Sequence, residues 1–140
     1  MLDQVRERSL PRIGLAERRH GDRGENPRGL ANLLQRASER YRLVINPVIY
    51  AEVSIRYSRI EALDAALPKA SFDREAIPYE AAFLAGKAFL AYRRRGGTKR
   101  SPLPDFFIGA HAAVAGYLLM TRDAARYRTS FPSLSLIAPS

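Results

Sequence analysis

The sequence predicts a small α/β domain: a mostly parallel sheet flanked by helices. Three observations carry this. Short apolar, β-branched runs at residues 43–45, 117–121 and 134–137 are too brief for helices and fit buried parallel strands. Between them lie longer segments with helical periodicity, opened by Pro47, Pro78 and Pro104 and stopped near Gly96–Gly97 and Gly116. Helical crossovers between apolar strands make parallel neighbours. A chain of 140 residues suits one such domain.

The elements follow in order. Residues 1–11 contain no apolar run of strand length, and HGDRGENPRG at 20–29 is charged and rich in breakers, so residues 1–30 read as loop or disorder. A helix over 30–40 places Leu30, Leu33, Leu34 and Ala37 on one face. After strand 43–45, Asn46 is placed to cap a helix with Pro47 at its first position, running to about Tyr57. A short helix over 61–67 closes at Pro68, and 72–77 is a connector or short strand. The clearest helix runs from Pro78 to about Arg95, with Phe83, Leu84, Ala85, Ala88 and Phe89 mainly apolar. A basic loop at 98–103 leads to the Pro104 helix, then strand 117–121, one helical turn at 124–127, a turn at Phe131–Pro132 and the last strand. The chain divides into an atypical head, 1–40, and a core, 41–138.

Composition narrows the function. Hydrophobic residues make up 46%, enough for a packed core, and there is no cysteine. That excludes a disulfide framework and any thiolate metal site, and fits a reducing compartment. No apolar run reaches the about 18 residues of a membrane span, and no apolar signal core opens the chain. A cytoplasmic location and no membrane partner are expected. The net charge of +9 favours an anionic partner, nucleic acid being the commonest. An acidic protein is also attracted by such a charge, and an arginine-rich proteome produces the same balance.

Sites in open α/β sheets form beyond the carboxyl ends of the strands. Asp123 lies just past strand 117–121, Asp105 in the first turn of the Pro104 helix, and Glu52 on the helix after strand 43–45. Three acids converging there repel one another unless a cation neutralises them, and Mg²⁺ or Mn²⁺ prefers such oxygen ligands. Taken singly, each has an ordinary explanation: Asp105 as a helix-start acid, Asp123 as the cap of a short turn, Glu52 as a solvated helix residue. There is no HExxH, and His111 reads as a packed or capped histidine. Arg93, Arg94, Arg95, Lys99 and Arg100 have no acid among them and can hold phosphates; as helix-end cations they also suit the dipole. Arg122 and Arg126 flank Asp123 and suit either phosphate or the acids.

PDFFIGAHA at 104–112, LMTRDAARY at 119–127 and the segment from Phe131–Pro132 to Leu136–Ile137 closely resemble the C-terminal half of PIN-domain nucleases, in particular the toxin ribonucleases of bacterial VapBC-type toxin–antitoxin pairs. NPVIYAE at 46–52 resembles the entrance to that family's first helix, and AAFLAGKA at 81–88 with YRRRGG at 92–97 resembles one branch of it. The similarity covers about residues 41–138. It implies a small α/β fold, a bound Mg²⁺ or Mn²⁺, RNA hydrolysis, a homodimer and a cognate antitoxin. Glu52, Asp105 and Asp123 fall on family acids, and Thr121 on a small hydroxyl residue that helps hold a metal-bound water or carboxylate. The implied mechanism is metal-ion hydrolysis; no dyad for side-chain nucleophilic catalysis is in view. Tyr50, Ile55 and Tyr57 are candidates for antitoxin contact, although a core would use them too. A metal-impaired PIN scaffold that binds RNA or an antitoxin is the alternative, and a DNA binder is weaker because no helix–turn–helix signature stands out.

One departure stands out. The family opens with a short apolar strand ending in aspartate, whereas here only Met1–Leu2 precedes Asp3. Two residues make a poor central strand. The first strand is therefore expected to be missing or distorted, with Asp3 as the stand-in for the first metal ligand; Asp22 sits in a glycine-rich loop. The abrupt change at about 38–43 suggests an altered reading frame or a misplaced start, and weakened activity.

Overall fold

A computed structural model describes residues 12–15, 36–37, 39–97, 103–121 and 124–137. Its core is a five-stranded sheet in the order β3-β2-β1-β4-β5. The strands are β1 Arg12–Leu15, β2 Arg42–Ile45, β3 Phe72–Arg74, β4 Leu118–Met120 and β5 Leu136–Ile137. Every pairing is parallel. The helices are α1 Pro47–Ser54, α2 Ile60–Ala66, α3 Tyr79–Arg94, α4 Leu103–Ala115 and α5 Ala124–Arg128. Of the helix expected over 30–40, residues 36–37 and 39–40 are helical; Leu30, Leu33 and Leu34 lie outside the described residues.

The first strand, expected to be missing or distorted, is present and short, and the segment expected to be loop contains it. It occupies Arg12–Leu15, and Met1–Leu2 lies outside the described residues. Its position is central: Ile13 is in register with Leu43 on one side and Leu118 on the other. A strand paired on both edges gains a full set of ladder hydrogen bonds, which a weak apolar pattern can then sustain.

Beside it, Leu43, Val44 and Ile45 are buried on both faces of β2, as a strand covered by helices on both sides requires. Asn46 caps α1 as expected, its Oδ1 accepting from the Ile49 N–H at 2.9 Å. That helix stops at Ser54, short of Tyr57, because the N–H groups of Arg56 and Tyr57 turn back to the carbonyls of Val53 and Ser54 in a tighter turn. The connector after α2 resolves into β3, which closes one edge of the sheet. An ion pair of Arg42 with Asp73 ties β3 to β2.

α3 packs along α4, with Phe106 of α4 meeting Phe89 edge-on at 5.5 Å and Tyr92 at 5.6 Å. The end of α3 is a glycine stop: the Gly96 N–H bonds the Arg93 carbonyl, the Gly97 N–H bonds the Tyr92 carbonyl, and Gly96 sits at φ 79. α4 is the most buried helix, from Asp105 to Ala112. Gly109 is required there, since a Cβ would lie 2.5 Å from the Phe131 ring. β4 and β5 are shorter than the apolar runs that contain them, because ladder pairing extends only as far as their partners: the Leu119 and Thr121 N–H groups bond the carbonyls of Ser135 and Ile137.

Candidate metal centre at the carboxyl edge of the sheet

Strand order runs outward from β1 through β2 to β3 on one side and from β4 to β5 on the other. The switch lies between β1 and β4, and a crevice opens beyond the carboxyl ends of strands at such a point. α4 leads into β4 through a two-residue turn, so an antiparallel packing brings the start of α4 to that same edge. Asp105 is in this first turn, and its Oδ2 accepts from Arg126 Nη1 of α5 at 2.9 Å. Thr121 follows β4 directly. Glu52 lies on α1, which packs against α4.

Glu52, Asp105 and Thr121 are 8%, 3% and 3% exposed. With Asn46 and His111 they make up the buried polar side chains among the described residues. The ordinary reading of Glu52 as a solvated helix residue is thereby excluded. Burying carboxylates is costly unless cations or hydrogen-bond donors compensate; Arg126 supplies one cation to Asp105. The donor set consists of carboxylate and hydroxyl oxygens, which suits a hard divalent ion such as Mg²⁺ or Mn²⁺. Among the described residues no group of three or more His, Cys, Asp or Glu is placed to hold a metal. Asp123 and Asp3 lie outside the described residues, as do Lys99, Arg100 and Arg122.

A second polar cluster went unread in the sequence. Asn46 uses Oδ1 for the α1 cap, so its Nδ2 is the donor to His111 Nδ1 at 3.0 Å. That leaves the imidazole proton on Nε2, which faces Glu75 Oε1 at 3.5 Å. Glu75 in turn accepts from the Tyr117 hydroxyl at 2.6 Å. The chain of groups ties the ends of β2 and β3 to α4 and the entry of β4. Burial pushes the His111 pKa down from 6.5, more than the nearby Glu75 carboxylate pulls it up. His111 is thus packed, as expected, but with defined polar partners. The missed signal is Glu75, an acid immediately past β3 in the same position relative to its strand as Asn46 to β2.

Beside this cluster lies a cavity of about 340 Å³ lined by Asn46, Pro47, Tyr50, Arg74 and Glu75. The Tyr50 hydroxyl donates to Asp64 at 2.8 Å, Arg74 pairs with the same oxygen at 2.9 Å, and its guanidinium stacks over the Tyr50 ring. These two donors hold the Asp64 pKa below its ordinary value. Ile55 is exposed and Tyr57 packs partly against the core. Of the basic residues, Arg93, Arg94 and Arg95 are exposed at the end of α3, with Arg93 stacked over Phe89.

A parallel five-stranded α/β domain with a strand-order switch and buried carboxylates defines the class. The PIN domain family model matches residues 20–132. The chain belongs to the PIN domain family. Its fold is similar to VapBC2 from Rickettsia felis bound to a promoter DNA fragment, with TM-score 0.58 and 17% identity over 78% of this chain and 83% of that one. VapBC-1 from nontypeable Haemophilus influenzae gives TM-score 0.58 and 16% identity over 76% and 84%. FitAcB from Neisseria gonorrhoeae gives 0.55 and 15% over 84% and 88%. No curated protein matches the chain by sequence. Among the described residues no helix is long and apolar enough to cross a membrane.

Proposed function

We propose that this chain is a divalent-metal-dependent endoribonuclease acting as the toxin of a toxin–antitoxin pair. The observation that supports the reading is the burial of two carboxylates, Asp105 in the first turn of α4 and Glu52 on α1, in a PIN domain. When bound, Mg²⁺ or Mn²⁺ lowers the pKa of a water and stabilises charge on the phosphoryl oxygens. Asp105, Glu52 and Asp123 are the proposed ligands. The Thr121 hydroxyl orients a water or carboxylate. Arg126 holds Asp105 in place through its Oδ2. Arg93, Arg94, Arg95, Lys99, Arg100 and Arg122 supply cations for the RNA backbone. Asp3, the first-strand stand-in, precedes β1 in the chain; Glu17 follows β1 by two residues and has the better sequence position for that role.

The deciding experiment is Mn²⁺-dependent cleavage of labelled RNA. Asp105→Asn should abolish cleavage while leaving the circular dichroism spectrum intact. A second reading is an RNA- or antitoxin-binding PIN module with an impaired metal site, motivated by the departure of the chain's first residues from the family's apolar strand ending in aspartate. RNA binding without any metal-dependent cleavage would select it.

Partners follow the same reading. An antitoxin segment is proposed for the face around Tyr50, Ile55 and the 340 Å³ cavity, with an acidic tail suited to the +9 charge. A homodimer is proposed through the outer face of α3, where Tyr79 and Phe83 are 92% and 69% exposed and Leu90 continues the stripe. A cytoplasmic location is part of this proposal.

A further inference from the structure

Among the described residues Asp105 is the more buried of the two proposed carboxylate ligands, and it already has a cation. Arg126 Nη1 lies 2.9 Å from Asp105 Oδ2, a contact across 21 residues of chain. The Asp105 side chain is 4% exposed and that of Arg126 29%. We propose that Arg126 is a positioning residue that sets the affinity of the metal centre: it offsets the buried Asp105 charge when no divalent ion is bound, and opposes the ion when one is. The inference rests on the ribonuclease reading, in which Asp105 is a metal ligand, and goes beyond it to what tunes the hold on the ion.

A buried carboxylate is costly without a compensating cation or donor. The pair supplies that compensation without a metal, so the folded chain tolerates Asp105 in its interior before any ion arrives. A divalent ion on the same carboxylate offsets the same charge and brings its own charge close to the guanidinium. Like charges that share one carboxylate repel, most strongly where water is scarce. The guanidinium cannot relieve this by losing a proton, because arginine stays charged in proteins. The two cations are therefore coupled with opposite sign, and the coupling is reciprocal: each reduces the gain from the other.

The ordinary alternative is an ion pair that pins α5 onto α4. Apolar contacts already do this. Tyr127 of α5 and Phe131 just beyond it are buried. A Cβ added at Gly109 would meet Phe131 at 2.5 Å and Tyr127 at 3.1 Å, so both rings lie directly on α4, one turn past Asp105. Phe131 also packs on Phe106, their centroids 6.5 Å apart. These rings seat α5, and the Arg126 pair is not required for it. The same stretch of chain supplies two more of the proposed groups: Thr121 directly follows β4, and Asp123 directly precedes α5.

The test uses the full chain and Mn²⁺, followed by electron paramagnetic resonance, in which the signal of the aqueous ion is lost on binding. The buffer is held well above the ordinary carboxylate range, so that protons do not compete. Wild type should bind Mn²⁺ at a site that Asp105→Asn removes. Arg126→Met, which keeps the stem without the charge, should bind Mn²⁺ about tenfold more tightly, the order of one charge-assisted hydrogen bond. Arg126→Lys, which restores the charge, should return affinity towards wild type. In EDTA, Arg126→Met should melt below wild type, and saturating Mn²⁺ should close most of that gap. In an Asp105→Asn background the same change should lower Tm far less, which assigns the effect to this pair rather than to another contact of Arg126. Should Arg126→Met not fold, Arg126→Gln, which still donates to Asp105 without the charge, carries the same expectation for affinity. Unchanged Mn²⁺ affinity, with Tm lowered equally in EDTA and in Mn²⁺, makes the pair a structural tie; weaker Mn²⁺ binding makes it an aid to the ion. Either result overturns the inference and leaves the nuclease reading in place. A wild-type chain that binds no Mn²⁺ overturns both.

Discussion

At residue scale the most consequential arrangement is Asn46 with His111. Asn46 serves two masters: Oδ1 caps α1 and Nδ2 donates to His111, so neither atom can be exchanged without loss. A protonated His111 would present a donor to a donor. Its depressed pKa means that the unfolded chain binds the proton more readily. The associated stability is fully present above pH 6.5 and is lost as pH falls from there towards the depressed folded value. Thermal denaturation across that range should show a falling Tm, and His111→Gln should flatten the profile. Asn46→Ala removes both the cap and a buried hydrogen bond, a loss of about 2–3 kcal/mol measurable by urea denaturation. Asn46→Asp keeps the cap but offers His111 an acceptor. Its folded pKa should then rise, reversing the sign: the added stability is present below 6.5 and disappears as pH increases through the raised value. A ¹H–¹⁵N titration of the imidazole would read this directly. Asp105→Asn, by contrast, should leave Tm nearly unchanged and remove cleavage.

At these positions the sequence was informative to different degrees. Glu52 and Asp105 could be singled out because each stands at the edge of an apolar segment, and Thr121 through the family resemblance. All three are buried. Glu75 could not. Its importance comes from meeting Tyr117 and His111 across the fold, and nothing local in the sequence marks that meeting.

At the scale of elements, helices were the most legible part. Their caps are local chemistry: Asn46–Pro47 starts α1, and Gly96–Gly97 ends α3. β1 was the least legible. Arg12, Ile13, Gly14 and Leu15 carry only two large apolar side chains, too few for a periodicity, and Pro11 precedes them. The strand exists because both its neighbours demand a partner, a tertiary cause. Ile13→Pro removes an N–H from a strand paired on both edges, and should unfold the domain outright, as read by loss of the cooperative thermal transition. The same change at Leu136 in edge strand β5 should cost far less. In α4, Gly109→Ala drives a Cβ towards the Phe131 ring and should destabilise by about 1–3 kcal/mol, the cost of an overpacked core.

At the scale of the whole molecule, charge and the outer stripe of α3 set the expected associations. Tyr79, Phe83, Gly86 and Leu90 recur at helical spacing on one exposed face, with Lys87 over the Phe83 ring. Phe83→Glu should shift sedimentation-equilibrium mass from dimer to monomer without altering Tm of the monomer. An unchanged mass in Phe83→Glu would place any dimer contact elsewhere.

The pairing of Ile13 with Leu118 spans most of the chain, and it forms in the middle of the sheet. A ribosome must therefore synthesise almost the entire polypeptide before the central strand can find its second neighbour. Until then the crevice between β1 and β4 has only one wall. Loop closure over such a separation also slows refolding relative to a helical bundle of equal size. Under the proposed nuclease function this ordering would be protective: the growing chain would remain harmless to the messenger that encodes it until translation is nearly finished. Ribosome-bound chains stalled before residue 118 should give no metal-dependent cleavage, and released full-length chains should acquire it on the timescale of refolding.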